Sequence, residues 1–386
     1  MMPEEAEELS ADAIYTLADL LVWQHQVPDA KLALRPAMAS HPNPLLLDNL
    51  VIASTFSTGQ ICAVDQETGE QRWHLPFPYY GHSPYAADGH LFGGTSQALL
   101  SIDPANGNIR WEFQPYQEGK ERLYSSPVYA QGRVFIGDFR GMLHCLSADS
   151  GKPLWTVQTS NARNSGVNAT ALLYEDLVIT ATNARMAVAY DQATGREVWR
   201  QCLPDSSIKE VLCYGGLALI ETRQGIYGLT PRTGEMVHTW EWQDYEIEAM
   251  TVAEETLCVV ITNDLFGPKG EKAKSADTQK TELLGLRQDA VQWRLSYPRY
   301  AGARLRYDPL SYLVYEATLH GLGIVDPQRG TRRAVIHQFG EGEYGSSVHH
   351  AGIPSIEIDT LYILSGCGLL AKLAHPGIKE GWYMKA

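Results

Sequence analysis

The sequence predicts an all-β fold, an eight-bladed β-propeller of four-stranded antiparallel blades, with a short helix ahead of it. Three observations predict it. A unit typified by AVDQETGEQRW at residues 63–73 returns as AYDQATGREVW at residues 189–199 and, more loosely, six further times along the 386-residue chain. Successive units lie roughly forty to fifty residues apart, the period of a four-stranded blade. No helical periodicity separates them, which excludes helical solenoids.

Taken in order, the chain starts with an amphipathic stretch. Residues 11–22 place Ile14, Leu17, Ala18 and Leu21 on one helical face, with Ser10 as N-cap and Glu7 and Glu8 before it. Residues 20–27, LLVWQHQV, read as an outer strand able to complete the last blade; residues 381–386, GWYMKA, compete for that place. The expected division is residues 1–30 for the helix and ring-closing strand, then residues 31–386 for the propeller. Each blade begins with a strand often rich in Tyr, Ser and His, such as YGHSPYA or YGSSVHHAG. An apolar strand follows, for example NLVIAS, RVFIG or LCVVI, and then the hairpin made by the repeat unit. A polar insertion at residues 264–282 interrupts the sixth unit and gathers Lys269, Lys272, Lys274 and Lys280. It reads as a solvated loop.

The unit itself has a physical logic. Asp65 or its equivalent can accept hydrogen bonds from backbone N–H groups of the turn. Gly69, Gly107, Gly151, Gly195, Gly234 and Gly330 stand where a hairpin of this length needs positive φ. Four residues after Gly69 and Gly195, Trp73 and Trp199 can bury a large ring against a neighbouring sheet. The other copies occupy residues 101–111, 145–155, 228–238 and 324–334, with a shortened one ending at Trp293 and a stretched one at Trp382.

Composition narrows the function classes. A net charge of -14 gives no basic footprint for nucleic acid or anionic lipid. No run of about twenty apolar residues is available to span a membrane. The six cysteines have no CxxC, adjacent-pair or CxxCH pattern and are expected to be buried, reduced thiols. The acidic start lacks the positive region of a secretory signal, so the expected address is cytoplasmic.

The pattern AxDxxTGxxxW, complete at Ala63, Asp65, Thr68, Gly69 and Trp73 and again at Ala189, Asp191, Thr194, Gly195 and Trp199, resembles the tryptophan-docking repeat of pyrroloquinoline-quinone-like (quinoprotein-like) β-propellers. The resemblance covers nearly everything after about residue 20. It implies three classes of activity. Quinoprotein dehydrogenases hold quinone and calcium in a central funnel, and many stack an adjacent-cysteine disulfide on the cofactor; this chain has no such cysteine pair. The propeller lipoprotein of the outer-membrane β-barrel assembly machinery binds other proteins, but a lipoprotein needs an acylated cysteine near its mature start, and the first cysteine here is Cys62. The remainder are cytoplasmic interaction platforms, including regulatory, inhibitor or immunity partners.

A funnel site, if present, would draw on the first strands of the blades. The candidate ring is His82, Tyr85, Tyr124, Ser125, Arg163, Asn164, Asn168, Glu246, Glu248, Tyr300, Arg304, Tyr344, His349 and His350. Polar residues are expected in such a wet channel even without a ligand. His349 and His350, as neighbours on a strand, point to opposite faces and do not make a metal pair. Glu246 and Glu248, at alternate positions, can share a face and could serve calcium or acid–base chemistry. There is no GxSxG, HExxH or phosphate-cradling glycine loop. The sequence therefore points to a non-catalytic protein-binding scaffold with no cofactor. The alternative is a quinone- and calcium-dependent dehydrogenase, or another small-molecule binder in the funnel.

Overall fold

The computed structural model describes residues 11–28, 43–55, 60–76, 84–94, 97–116, 123, 125–160, 162, 165–167, 169–205, 210–263, 280–288, 290–297, 303–318, 321–337, 354–357, 359–364 and 369–379. They form an eight-bladed β-propeller of antiparallel sheets. In the first sheet Leu45–Leu47, Leu50–Ser54, Gln60–Asp65 and Gln71–Pro76 pair in chain order, and the next six sheets repeat that order. The middle two strands of each blade read as continuous apolar runs because both their faces are covered: Leu50–Ser54 and Gln60–Asp65 are buried at every position. Outer strands alternate, as in Pro153–Gln158, since one of their faces meets solvent.

The chain divides into two compact units. One comprises residues 24–241 with 367–370 and holds the first five sheets. Its cores lie between successive blades: Ile52, Ile61 and Trp73 of the first pack with Leu91, Leu100 and Ile102 of the second. The other comprises residues 1–23, 242–366 and 371–386 and holds the sixth and seventh sheets. Here Val260 and Leu283 pack with Val314, Val325 and Val335. A polar knot is enclosed in this core. The Arg332 guanidinium pairs with Glu316, which also accepts from the Tyr297 hydroxyl at 2.5 Å. Gly323, opposite Glu316 in the ladder, leaves room for that carboxylate: a Cβ there would sit 2.5 Å from Glu316 Cγ.

The N-terminal segment corrects the expected helix. Strand β1 (Ile14–Thr16) pairs parallel to Thr331–His337 of the seventh sheet; a single helical turn, α1 (Leu17–Leu20), leads into strand β2 (Leu21–Gln26). β-branched and aromatic residues at Ile14, Tyr15 and Thr16 favour an extended backbone once an edge is available to pair with. Ser10, the expected cap, lies outside the described residues. The turn is instead started by Thr16, whose N–H and hydroxyl both donate to Asp19 Oδ2, at 2.7 and 2.8 Å. β2 takes the outer place of the eighth sheet, as the LLVWQHQV reading expected, and its Trp23 ring lies 6.1 Å from that of Tyr362 in the same sheet. Residues 381–386, the competing candidate, lie outside the described residues, as do residues 264–279 of the polar insertion. Its last two residues, Thr281 and Glu282, belong to the strand Thr281–Arg287.

Candidate functional site

Each repeat unit builds a hairpin whose polar groups are consumed locally. Asp65 Oδ1 accepts from the N–H groups of Glu67 and Thr68 at 3.0 and 2.9 Å and from the Thr68 hydroxyl at 3.1 Å, while Oδ2 takes Arg72 at 2.6 Å. Arg72 first, and then the Thr68 N–H, hold this carboxyl well below the usual carboxylate range. Asp191 repeats the arrangement with Ala193 and Thr194. The six expected glycines all have positive φ, from 66° at Gly151 to 77° at Gly107.

Five of those glycines, Gly107, Gly151, Gly195, Gly234 and Gly330, have a second duty that the sequence does not announce. The tryptophan of one blade lies over the turn glycine of the next: a Cβ on Gly107 would sit 2.9 Å from Trp73 Cδ2, and one on Gly151 2.5 Å from Trp111 Cε3. Each indole N–H then donates to a carbonyl of that same turn. Trp73 reaches Pro104 at 2.7 Å, Trp111 reaches Ala148 at 2.6 Å, Trp155 reaches Gln192 at 3.1 Å, Trp199 reaches Pro231 at 2.7 Å and Trp293 reaches Pro327 at 2.8 Å. Gly and Trp therefore couple blade to blade and Asp closes its own turn, and none of the three is left as a reactive group.

What the couplings leave over is one residue in each of the first seven blades. The ladder skips the residue just before the tryptophan position, because Ala63 pairs with Trp73 but Val64 with Gln71. The same β-bulge recurs in the next six sheets and turns its extra residue outward. At this position the first two blades carry Arg72 and Arg110, which pair with Asp65 and Asp103 of their own turns. The third, fourth and fifth carry Leu154, Val198 and Val237, exposed at 51%, 42% and 50%. The sixth carries Gln292 and the seventh Arg333, which meets Asp12 at 3.4 Å. Three successive blades of one unit thus present aliphatic side chains to solvent at a position where their neighbours are charged or polar. Phe139, at the tip of a turn in the third blade, is also exposed.

The funnel ring is only partly placed. His82, Tyr124, Arg163, Asn164, Asn168, Tyr300, Tyr344, His349 and His350 lie outside the described residues. Tyr85 is half-buried in the strand Tyr85–Ala87. Ser125 is buried and serves structure, accepting from the Gly137 N–H at 2.7 Å. Arg304 opens the first strand of the seventh blade, half-buried. Glu246 and Glu248 lie on the first strand of the sixth, Glu246–Ala253, but a second bulge falls between them and their expected common face. Ile247 pairs with Ile261 and Ala249 with Val260, leaving Glu248 as the extra residue. Simple alternation therefore does not put the two carboxylates together. Among the described residues no group of three or more His, Cys, Asp or Glu side chains gathers to hold a metal. The bulge at Glu248 thus takes away the alternation that would set the two carboxylates on one face for calcium.

A His–Asp contact deep in the third blade is likewise structural. His144 Nε2 lies 3.2 Å from Asp138 Oδ2, which also accepts from the Tyr116 hydroxyl at 2.5 Å. Asp138 Oδ1 takes the N–H groups of Arg140 and Met142, at 2.9 and 2.8 Å, fixing the turn that carries Phe139. Both His144 and Asp138 are buried, out of reach of a substrate. The cysteines divide: burial pushes the thiols of Cys62, Cys145 and Cys258 up to about 12, but Cys202 and Cys213 are exposed, against expectation. The two belong to strands with an alternating pattern, Glu197–Cys202 and Glu210–Tyr214, whose outward positions they occupy. Cys367 lies outside the described residues.

Comparison with known proteins agrees with this architecture. A family model described as outer membrane protein assembly factor BamB matches residues 19–113, 95–247 and 140–299. The assembly factor BamB of Burkholderia pseudomallei is 26% identical over 238 residues, covering 57% of this chain and 61% of its own length. The chain thus spans about three fifths of that relative. Among solved structures, BamB from Moraxella catarrhalis superposes with a TM-score of 0.54 at 14% identity, covering 86% of this chain and 85% of its own. Quinohemoprotein alcohol dehydrogenase from Comamonas testosteroni gives 0.66 at 12% identity, covering 92% and 76%. At these identities the structures show a shared fold alone. The cytoplasmic address expected from the acidic start does not stand, because several of the matched relatives are outer membrane protein assembly factors. No helix among the described residues is long and apolar enough to cross a membrane. With the repeat hairpins, the indole couplings and a family model spanning well over half of its residues, the chain belongs to the BamB-type family of quinoprotein-like propellers.

Proposed function

We propose that this chain is a non-catalytic scaffold that binds another protein through the outer strands of its third to fifth blades. The observation that carries the reading is the change of chemistry at the bulge position. Arg72 and Arg110 are engaged by their own turns, whereas Leu154, Val198 and Val237 stand in solvent on consecutive blades. Aliphatic groups repeated across adjacent elements contribute nothing to the fold when exposed and gain free energy only when another surface covers them. The kinship with protein assembly factors supports a protein as that surface.

The test is chemical crosslinking of the chain in its native cells, comparing the natural protein with a Leu154→Asp, Val198→Asp, Val237→Asp triple variant. The expected outcome is a discrete crosslinked partner that disappears in the triple variant while the melting temperature stays within a few degrees, since exposed positions contribute little to stability. A partner retained by the triple variant would move the binding surface elsewhere.

A further inference from the structure

One turn of the seventh blade departs from its counterparts. In each of the first six sheets the first two strands are joined by two residues, and these are polar or glycine, as at Asp88–Gly89, Glu175–Asp176 and Glu254–Glu255. The seventh sheet has four residues there, Pro309, Leu310, Ser311 and Tyr312, between the strands Arg304–Asp308 and Leu313–Thr318. Leu310 and Tyr312 are 55% and 56% exposed, more than any other large apolar side chain among the described residues.

The fold alone does not account for this choice of residues. Tyr312 has a φ of 58°, in the left-handed region. Every other described non-glycine residue with positive φ is Asp, Glu, Gln or Arg. A bulky aromatic there carries backbone strain that glycine would not, and its ring stands mostly in solvent. The turn is nonetheless fixed. Asp308 Oδ2 accepts from the Ser311 N–H at 2.8 Å, the Asp308 carbonyl accepts from the Tyr312 N–H at 3.0 Å, and Ser311 Oγ lies 3.4 Å from the hydroxyl of buried Tyr315. Pro309 locks a further backbone angle. Strain kept at an exposed position points to function rather than packing. A rigid turn that already holds both side chains outward also loses less entropy when they are covered.

The charges beside the turn select what covers it. The first strands of the sixth and seventh blades lie side by side, with the Tyr307 N–H donating to Thr251 Oγ1 at 3.3 Å. Burial, and then the Glu254 carboxylate, push the Tyr307 hydroxyl up to about 12, which sets the Glu254–Glu255 turn next to the strand leading into Pro309. Both glutamates are exposed. We propose that the turn between Asp308 and Leu313 is an anchor that seats Leu310 and Tyr312 in an apolar pocket of a partner protein, whose basic rim faces Glu254 and Glu255. The leucine and the tyrosine ring supply apolar area, and the phenol hydroxyl stays at the wet edge of the pocket. The same carboxylates disfavour an anionic lipid surface. The anchor is independent of the aliphatic row on the third to fifth blades, and either can fail without the other.

The experiment uses the full chain. Photoreactive p-benzoylphenylalanine replaces Leu310 and, as a control, Gln328, which is exposed on another turn of the same sheet. Irradiation of native cells should join the Leu310 position, and not the control, to one protein. That protein is then purified and titrated calorimetrically against the natural chain, Tyr312→Gly and a Glu254→Lys, Glu255→Lys double variant. Tyr312→Gly should lose about tenfold or more in affinity while melting no lower than the natural chain, because glycine relieves the strain. The double variant should weaken binding most at low salt. Equal labelling from the two positions, or undiminished affinity of Tyr312→Gly, would overturn the proposal. So would a lower melting temperature of Tyr312→Gly, which would make the tyrosine structural. A crosslink between two copies of the chain would replace the partner by self-association. Sedimentation with phosphatidylcholine vesicles, with and without phosphatidylglycerol, tests the remaining occupant: binding lost in Tyr312→Gly would assign the turn to a membrane and overturn the proposal equally.

Discussion

At the scale of single residues, the conspicuous acid, glycine and aromatic of the repeat are the least functional positions of the chain. Trp73 and Trp199 are each 8% exposed, donate to the next blade's turn and cover its glycine. Replacing either by alanine removes the ring and the hydrogen bond together, and should cost about 3–5 kcal/mol. Urea unfolding of the two variants measures this; midpoints equal to the natural chain would refute the coupling. A different residue sets an acid limit. His375 is buried, its Nδ1 accepts from the Gly377 N–H at 3.1 Å, and its Nε2 lies 2.8 Å from the Tyr315 hydroxyl. Nε2 therefore carries the proton of a neutral ring and donates to Tyr315. Burial lowers its pKa to about 4, against about 6.5 in an unfolded chain. The folded state then binds fewer protons than the unfolded one between those values. The contribution is complete above about pH 6.5 and is lost as the pH falls toward 4, a penalty on the order of 3 kcal/mol. Melting temperature followed from pH 7 to 4 should show a fall that a His375→Gln variant lacks.

At the scale of elements, legibility followed periodicity. Two strands of each blade were readable because alternation and apolar runs report burial directly, and the hairpin turns because Asp and Gly are demanded by hydrogen bonding and φ. The N-terminal strand departs from its sequence pattern for a specific reason: Ile14, Leu17, Ala18 and Leu21 satisfy a helical spacing, but the pairing that decides the matter is with Val335 and Ile336, more than three hundred residues away. Ala334 in a tryptophan slot, followed by two further apolar residues, was the available signal that this edge is covered. The bulges escaped for the same kind of reason. An extra residue in a ladder leaves no composition signature, so Leu154, Val198 and Val237 looked like ordinary strand positions. It also undid the sequence argument for Glu246 and Glu248, since a rule of alternate faces holds only while the register is unbroken.

At the scale of the whole molecule, the same fold serves protein assembly factors and quinone-dependent dehydrogenases, so architecture does not choose between them. Ligand linkage does. A cofactor that binds only the folded chain stabilises it by RT ln(1 + [L]/Kd), about 2.7 kcal/mol when supplied at a hundred times its dissociation constant. For a chain of this size such a gain raises the melting temperature by a few degrees. Since the described carboxylates Glu246 and Glu248 are separated by a bulge and the turn aspartates are occupied by their own hairpins, we expect pyrroloquinoline quinone with calcium to leave the melting temperature unchanged. Differential scanning fluorimetry over a hundredfold range of quinone, with calcium present and absent, measures it. A saturable, calcium-dependent rise would favour the dehydrogenase reading over the scaffold. It would do so without any assay of turnover, because linkage reports binding before a substrate is known.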